Sequence, residues 1–122
     1  MVLFSVVFLG SCKKDDTTDV SKNLPVVVTG NISNISFNSA LIDCNVTSQG
    51  ASSVTKKGVV YGTSNNPTYT ESPPNFVDNG TGTGSYNSAI TNLQSQTTYY
   101  VRAYAKNADG IGYGASKSFK TN

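Results

Sequence analysis

The 122-residue sequence has no histidine, no tryptophan and two cysteines, Cys12 and Cys44. Without histidine, the nucleophile triads that use it as general base and the common His/Cys zinc sites have nothing to be built from. Charge is also scarce. Nine Lys and Arg against seven Asp and Glu leave a net charge of +2, too small and too dispersed for the electrostatic footprint of a nucleic-acid or anionic-membrane binder. The acids Asp15, Asp16, Asp19, Asp43, Glu71, Asp78 and Asp109 are scattered. They show neither the alternating spacing that gathers oxygens around calcium nor the paired carboxylates of a glycosidase cleft. The expectation is a protein without catalytic residues, metal or cofactor. Apolar runs are short as well, well below the ~20 residues a spanning helix needs.

What is abundant is Ser, Thr, Asn and Gly, together 54 of the 122 residues. Such a composition favours strands joined by tight turns over helices, and the length suits one domain.

The first residues read as a targeting segment. Val2 to Leu9 is VLFSVVFL, with seven apolar residues in eight, followed by Gly10-Ser11-Cys12 and then Lys13-Lys14-Asp15-Asp16. The run has the length of the apolar region of a cleaved signal. Leu9-Gly10-Ser11-Cys12 resembles the lipobox of bacterial lipoproteins, which implies a signal peptide over residues 1–11 and a lipidated Cys12 as mature N-terminus. Several acyl chains on one residue anchor stably where a single chain is marginal. The pattern departs from that family in having no Lys or Arg ahead of the apolar run. Asp15 and Asp16 resemble the acidic export signals of Bacteroidetes surface lipoproteins, implying an outer-membrane address with the domain at the cell surface. Asp16-Thr17-Thr18 is similar to a short O-glycosylation motif of that phylum, a tripeptide common by chance.

Residues 12–24 form a tether. From Lys13 to Asn23 the chain is polar and charged with one valine, a composition that buries too little apolar surface to order itself.

From residue 25 to 122 short β-branched or alternating runs are separated by turn residues, and about seven strands are expected. Val26 to Thr29 begins the first. Ala40 to Val46 is the cleanest, with Ala40, Ile42, Cys44 and Val46 on one face. Lys57 to Tyr61 follows, then a loose edge near Tyr69 and Phe76-Val77, then Tyr86 to Ile90. Thr98 to Lys106 sets Tyr99, Val101, Ala103 and Ala105 on one face, and Tyr100, Arg102, Tyr104 and Lys106 on the other. Tyr113 to Lys120 closes the domain. Gly80, Gly82 and Gly84 mimic a phosphate loop but lack the helix that would hold the anion, and read as a flexible lead into a strand.

Leu93-x5-Tyr99-x-Val101-x-Ala103-x-Ala105-x-Asn107-x2-Gly110 resembles the end of a fibronectin type III domain. Together with Gly58-Val59-Val60-Tyr61 and Gly82-Thr83-Gly84-Ser85, it is similar to the fibronectin-like domains of Bacteroidetes surface proteins. The resemblance implies an all-β, immunoglobulin-like sandwich over residues 25–122. Tyr99 then matches the corner tyrosine, whose hydroxyl bonds backbone near Leu93 or Gln94. At the strand position where tryptophan is usual the chain holds Cys44, so a lighter core is implied. With Cys12 lipidated, Cys44 has no partner for a disulfide and reads as a small buried hydrophobe.

Candidate function therefore rests on surfaces. The stripe Tyr100-x-Arg102-x-Tyr104-x-Lys106 offers flat rings and a forked donor that suit a sugar or an acidic polymer. It is equally a cross-strand ladder that stabilises the sheet. The excursion Thr63 to Gly80, carrying Tyr69, is a second candidate, because loops on a rigid sandwich often bind. It is equally an irregular edge in which Pro67, Pro73 and Pro74 block strand addition. Two functions follow. One is a non-catalytic, lipid-anchored surface protein that binds a polysaccharide, a host matrix component or an envelope protein. The other is a passive spacer or accessory subunit of an envelope assembly.

Overall fold

The computed structural model describes residues 23–71 and 75–122, all of it strand, turn and loop. The signal peptide, Cys12 and the tether up to residue 22 lie outside the described residues. Among the described residues eight strands are formed: β1 (Val26–Ser33), β2 (Ala40–Ser48), β3 (Lys56–Gly62), β4 (Phe76–Asp78), β5 (Gly84–Ile90), β6 (Thr98–Asn107), β7 (Gly110–Tyr113) and β8 (Lys117–Lys120). β1, β2 and β5 make one antiparallel sheet with β2 in the middle. The second runs β8-β6-β3-β4, with β7 also pairing β6 further along. β7 and β8 are the two halves of one edge strand, so the sandwich has seven strand positions.

Alternation explains the core. Ile42, Cys44 and Val46 of β2 meet Val59 of β3 and Val101, Ala103 and Ala105 of β6 between the sheets. Tyr99 stacks on Phe119 with ring centroids 6.0 Å apart. The Tyr99 hydroxyl accepts from the Gln94 amide at 2.9 Å, which pins the crossing from β5 to β6, and Leu93 is buried beside it. Burial pushes the Cys44 thiol up to about 11, so this free cysteine stays protonated and inert.

The break between β7 and β8 has a physical cause at Gly114. There the Ala103 carbonyl accepts from the Gly114 amide at 2.8 Å, while the Ala103 amide donates across the sandwich to the Thr29 hydroxyl at 2.9 Å. The β1 hydroxyl thus replaces a ladder partner that the broken strand cannot supply. Gly112 permits a similar approach, since a β-carbon on it would lie 2.0 Å from the Pro25 carbonyl oxygen.

Each end of the sandwich is tied by backbone bonds. At one end the Asn107 amide donates to the carbonyls of Asn23 and Gln49, both at 2.9 Å, and its oxygen accepts from the amides of Asp109 and Gly110. At the other, the Leu93 amide donates to Asn38 and the Asn122 amide to Ser36.

Candidate functional site

The outward side of the β3–β6 sheet is covered around Tyr104, whereas its Tyr100 end stays partly open. Tyr104 does face away from the core, but its exposure is 0%, so it is no platform for stacking a sugar ring. The reason lies in its neighbours. Tyr104 pairs with Gly58, which has no side chain, and its ring crosses β3 to donate its hydroxyl to the Val77 carbonyl at 3.0 Å. Tyr69 and Phe76 then cover it, with ring centroids 5.4 and 6.3 Å from that of Tyr104 and 4.4 Å from each other. Burial raises the Tyr104 phenol above its ordinary value.

The cations of this face are also engaged. The Arg102 guanidinium lies 4.4 Å from the Tyr113 ring centroid and donates to the Gly114 carbonyl at 3.2 Å. Lys56 donates to the Tyr69 hydroxyl at 3.0 Å, which in turn donates to Glu71 at 2.9 Å, and the Tyr69 amide donates to the Tyr113 hydroxyl. The structure therefore brings Tyr69, Arg102 and Tyr104 together as a second small packing layer with Phe76 and Tyr113. Tyr100 and Lys106, at the ends of the stripe, are half-buried. Lys56, Tyr113 and the packing role of Phe76 carried no period-two signal shared with the stripe, because they come from other strands.

The opposite face, on β1, β2 and β5, is open and indented. A groove of about 450 Å³ is lined by the outward side chains of Val28, Asn31, Asp43, Asn45, Ser85 and Asn87, with backbone of Gly30, Cys44 and Tyr86 at its floor. Strand register assembles it. Val28 pairs with Asn45 and Asn45 with Ser85, making one row, while Asp43 pairs with Asn87 in the next. The ladder between β1 and β2 shifts between Thr29 and Ile32. Such a shift marks a bulge that bends the edge strand and re-aims its side chains. Gly30 sits in that irregularity because a β-carbon there would lie 2.6 Å from the Asp43 carbonyl oxygen.

The Asn87 amide donates to the Asp43 carboxylate. The side chains of Asn31, Asn45 and Ser85 have no hydrogen-bond partner among the described residues, and Val28 is 49% exposed beside them. No lysine or arginine lines the groove. Sequence reading missed this site, since its asparagines and serine are indistinguishable from the turn-forming residues that fill the chain. Among the described residues, no cluster of His, Cys, Asp and Glu of a size to hold a metal ion is present.

No protein-family model matches the sequence, and no curated protein matches it. Solved structures do. A sensor domain of the anti-sigma factor RsgI4 of Pseudobacteroides cellulosolvens is 18% identical, with a TM-score of 0.54 over 80% of this chain and 93% of that one. A fibronectin type III domain from the human KIAA0970 protein is 12% identical, with a TM-score of 0.57 over 92% and 86% of the two chains. The third fibronectin type III domain of human KIAA0343 is 16% identical, with a TM-score of 0.53 over 82% and 85%. The fold is therefore a fibronectin type III-like β-sandwich, which hosts many unrelated functions.

Proposed function

We propose that the protein is a non-catalytic recognition module of the cell envelope, anchored through a lipidated Cys12 and presenting the β1–β2–β5 face to a ligand. The observation that carries this reading is the open groove itself. On one broad face an aromatic layer covers Tyr104, while the other face keeps unpartnered amides and a hydroxyl turned outward. Likeness to a bacterial sensor domain supports a role in recognition, and the leader with its Leu9-Gly10-Ser11-Cys12 motif supports the anchored address. Asn23, the first described residue, is held at the Asn107 end, so an attachment through the preceding chain is compatible with a free β1–β2–β5 face.

Cells producing the chain test both halves. Labelling with an alkyne analogue of palmitate is expected to mark the protein and to be lost in Cys12→Ala. The same cells are expected to bind saturably to immobilised polysaccharide or matrix protein. Labelled, surface-exposed protein that binds none of them would replace this reading with that of a spacer or accessory subunit.

A further inference from the structure

Resting on the recognition reading, we propose that the β1–β2–β5 groove binds a neutral, hydroxyl-rich glycan chain, held by Asn31, Asp43, Asn45 and Asn87. The lining favours this class over the others. Phosphate and polyanions need cations, but no lysine or arginine is among the lining residues, which include the Asp43 carboxylate, and the neighbouring Lys117 ammonium is engaged by the Gly30 carbonyl at 3.0 Å. An extended peptide adds to a sheet through free backbone edges. The free edges of this sheet lie on β1 and β5 at the rims, whereas the floor strand β2 is paired on both sides, so a ligand seated in the groove itself meets side chains. A mostly apolar ligand would find a single aliphatic wall, Val28.

Sugar hydroxyls match what remains. Each hydroxyl both donates and accepts, and each carboxamide offers two donors and an acceptor. Asp43 is already oriented by the Asn87 amide across the β2–β5 pair. One carboxylate oxygen takes that bond, which leaves the other to accept from a ligand hydroxyl. Asn45, in the next row, is placed to donate to an adjacent hydroxyl, and Val28 beside it suits the C–H face of a pyranose ring. The volume of about 450 Å³ falls within the range of small-ligand sites, roughly 300–1,000 Å³.

The test uses the ¹⁵N-labelled full chain in detergent micelles, titrated to millimolar concentration with maltohexaose, cellohexaose, xylohexaose, laminarihexaose and mannohexaose. Amide shifts are expected to cluster on residues 28–31, 43–45 and 85–87 with at least one of these glycans. Asn45→Ala and Asn87→Ala are expected to weaken that binding by about tenfold each, equivalent to the loss of one charge-assisted or paired hydrogen bond. Their dispersed spectra verify the fold. Tyr100→Ala, on the opposite sheet, is expected to leave it unchanged. Absence of shifts with all five glycans overturns the proposal, as does binding that survives both asparagine variants or is lost in Tyr100→Ala. If the cells bind matrix protein while all five glycans fail, the glycan site is wrong and the recognition reading stands.

Discussion

The Tyr86 hydroxyl, on β5 of one sheet, donates to the Gly58 carbonyl, on β3 of the other, at 2.8 Å. It also lies 3.3 Å from the carbonyl of Tyr104, the ladder partner of Gly58. Lys57 is buried, and its ammonium sits 5.1 Å from the centroid of the same ring. One tyrosine thus joins the sheets through a hydrogen bond and a cation–π contact, near the floor of the candidate groove. Tyr86→Phe keeps the ring and removes the single donor shared by these carbonyls, so it is expected to lower stability by about 1–2 kcal/mol. Urea denaturation measures this, and an unchanged midpoint would show that water replaces the hydroxyl.

Two glycines of the second sheet should behave oppositely. A β-carbon at Gly112 would meet the Pro25 carbonyl oxygen at 2.0 Å, whereas one at Gly62 would meet nothing within 4 Å. Gly112→Ala must push β1 away from β7, and a loss of about 2 kcal/mol or more is expected. Gly62→Ala is expected to stay within about 0.5 kcal/mol of the wild type. Thermal melts of the two variants side by side decide it.

Alkaline pH should unfold the protein through groups buried as neutral acids. The Cys44 thiol rises from 9.0 to about 11 on burial, and the phenols of Tyr86 and Tyr104 are raised from 10.0 for the same reason. A raised value means that the folded state holds the proton more tightly than the unfolded chain. The associated stability is complete below pH 9 and is lost as pH climbs toward and beyond 11. Cys44→Ala is expected to delay the onset of the decline by about one pH unit, to the range where the tyrosines titrate in the unfolded chain. Denaturation midpoints from pH 7 to 11 would reveal it. In a Cys12→Ser background, Cys44 is expected to resist thiol reagents at pH 8 until the protein is unfolded.

Removing the cover from Tyr104 should loosen one segment and spare the core. Tyr69 packs on Phe76 and Tyr104 and holds Lys56, Glu71 and Tyr113. Tyr69→Ala is expected to speed amide exchange across residues 63–71 by at least about tenfold while leaving β2 and β5 unchanged. Equal acceleration everywhere would mean that this layer is part of the global folding unit.

The strand pattern was legible because a strand's side chains alternate strictly. Ala40-x-Ile42-x-Cys44-x-Val46 and Tyr99-x-Val101-x-Ala103-x-Ala105 specify their inward faces without any knowledge of partners. The corner contact of Tyr99 with Gln94 is similarly local, closed within a few residues. Alternation was equally right that Tyr104 faces away from the core, but it carries no information on what lies above that face.

That second question belongs to tertiary structure. Tyr69 and Phe76 reach Tyr104 from 35 and 28 positions away in the chain, by a fold-back that converts an apparent binding stripe into a packing layer. The groove is more distant still from sequence. Its polar residues come from β1, β2 and β5, and only the register Val28–Asn45–Ser85 and Asp43–Asn87 makes neighbours of them. Periodicity and turn chemistry, which act over a few residues, determined the all-β class and the facing of each strand. Register and long-range packing decided that Tyr104 is covered and that the β1–β2–β5 face is indented, because both arise from contacts between segments that no short window contains.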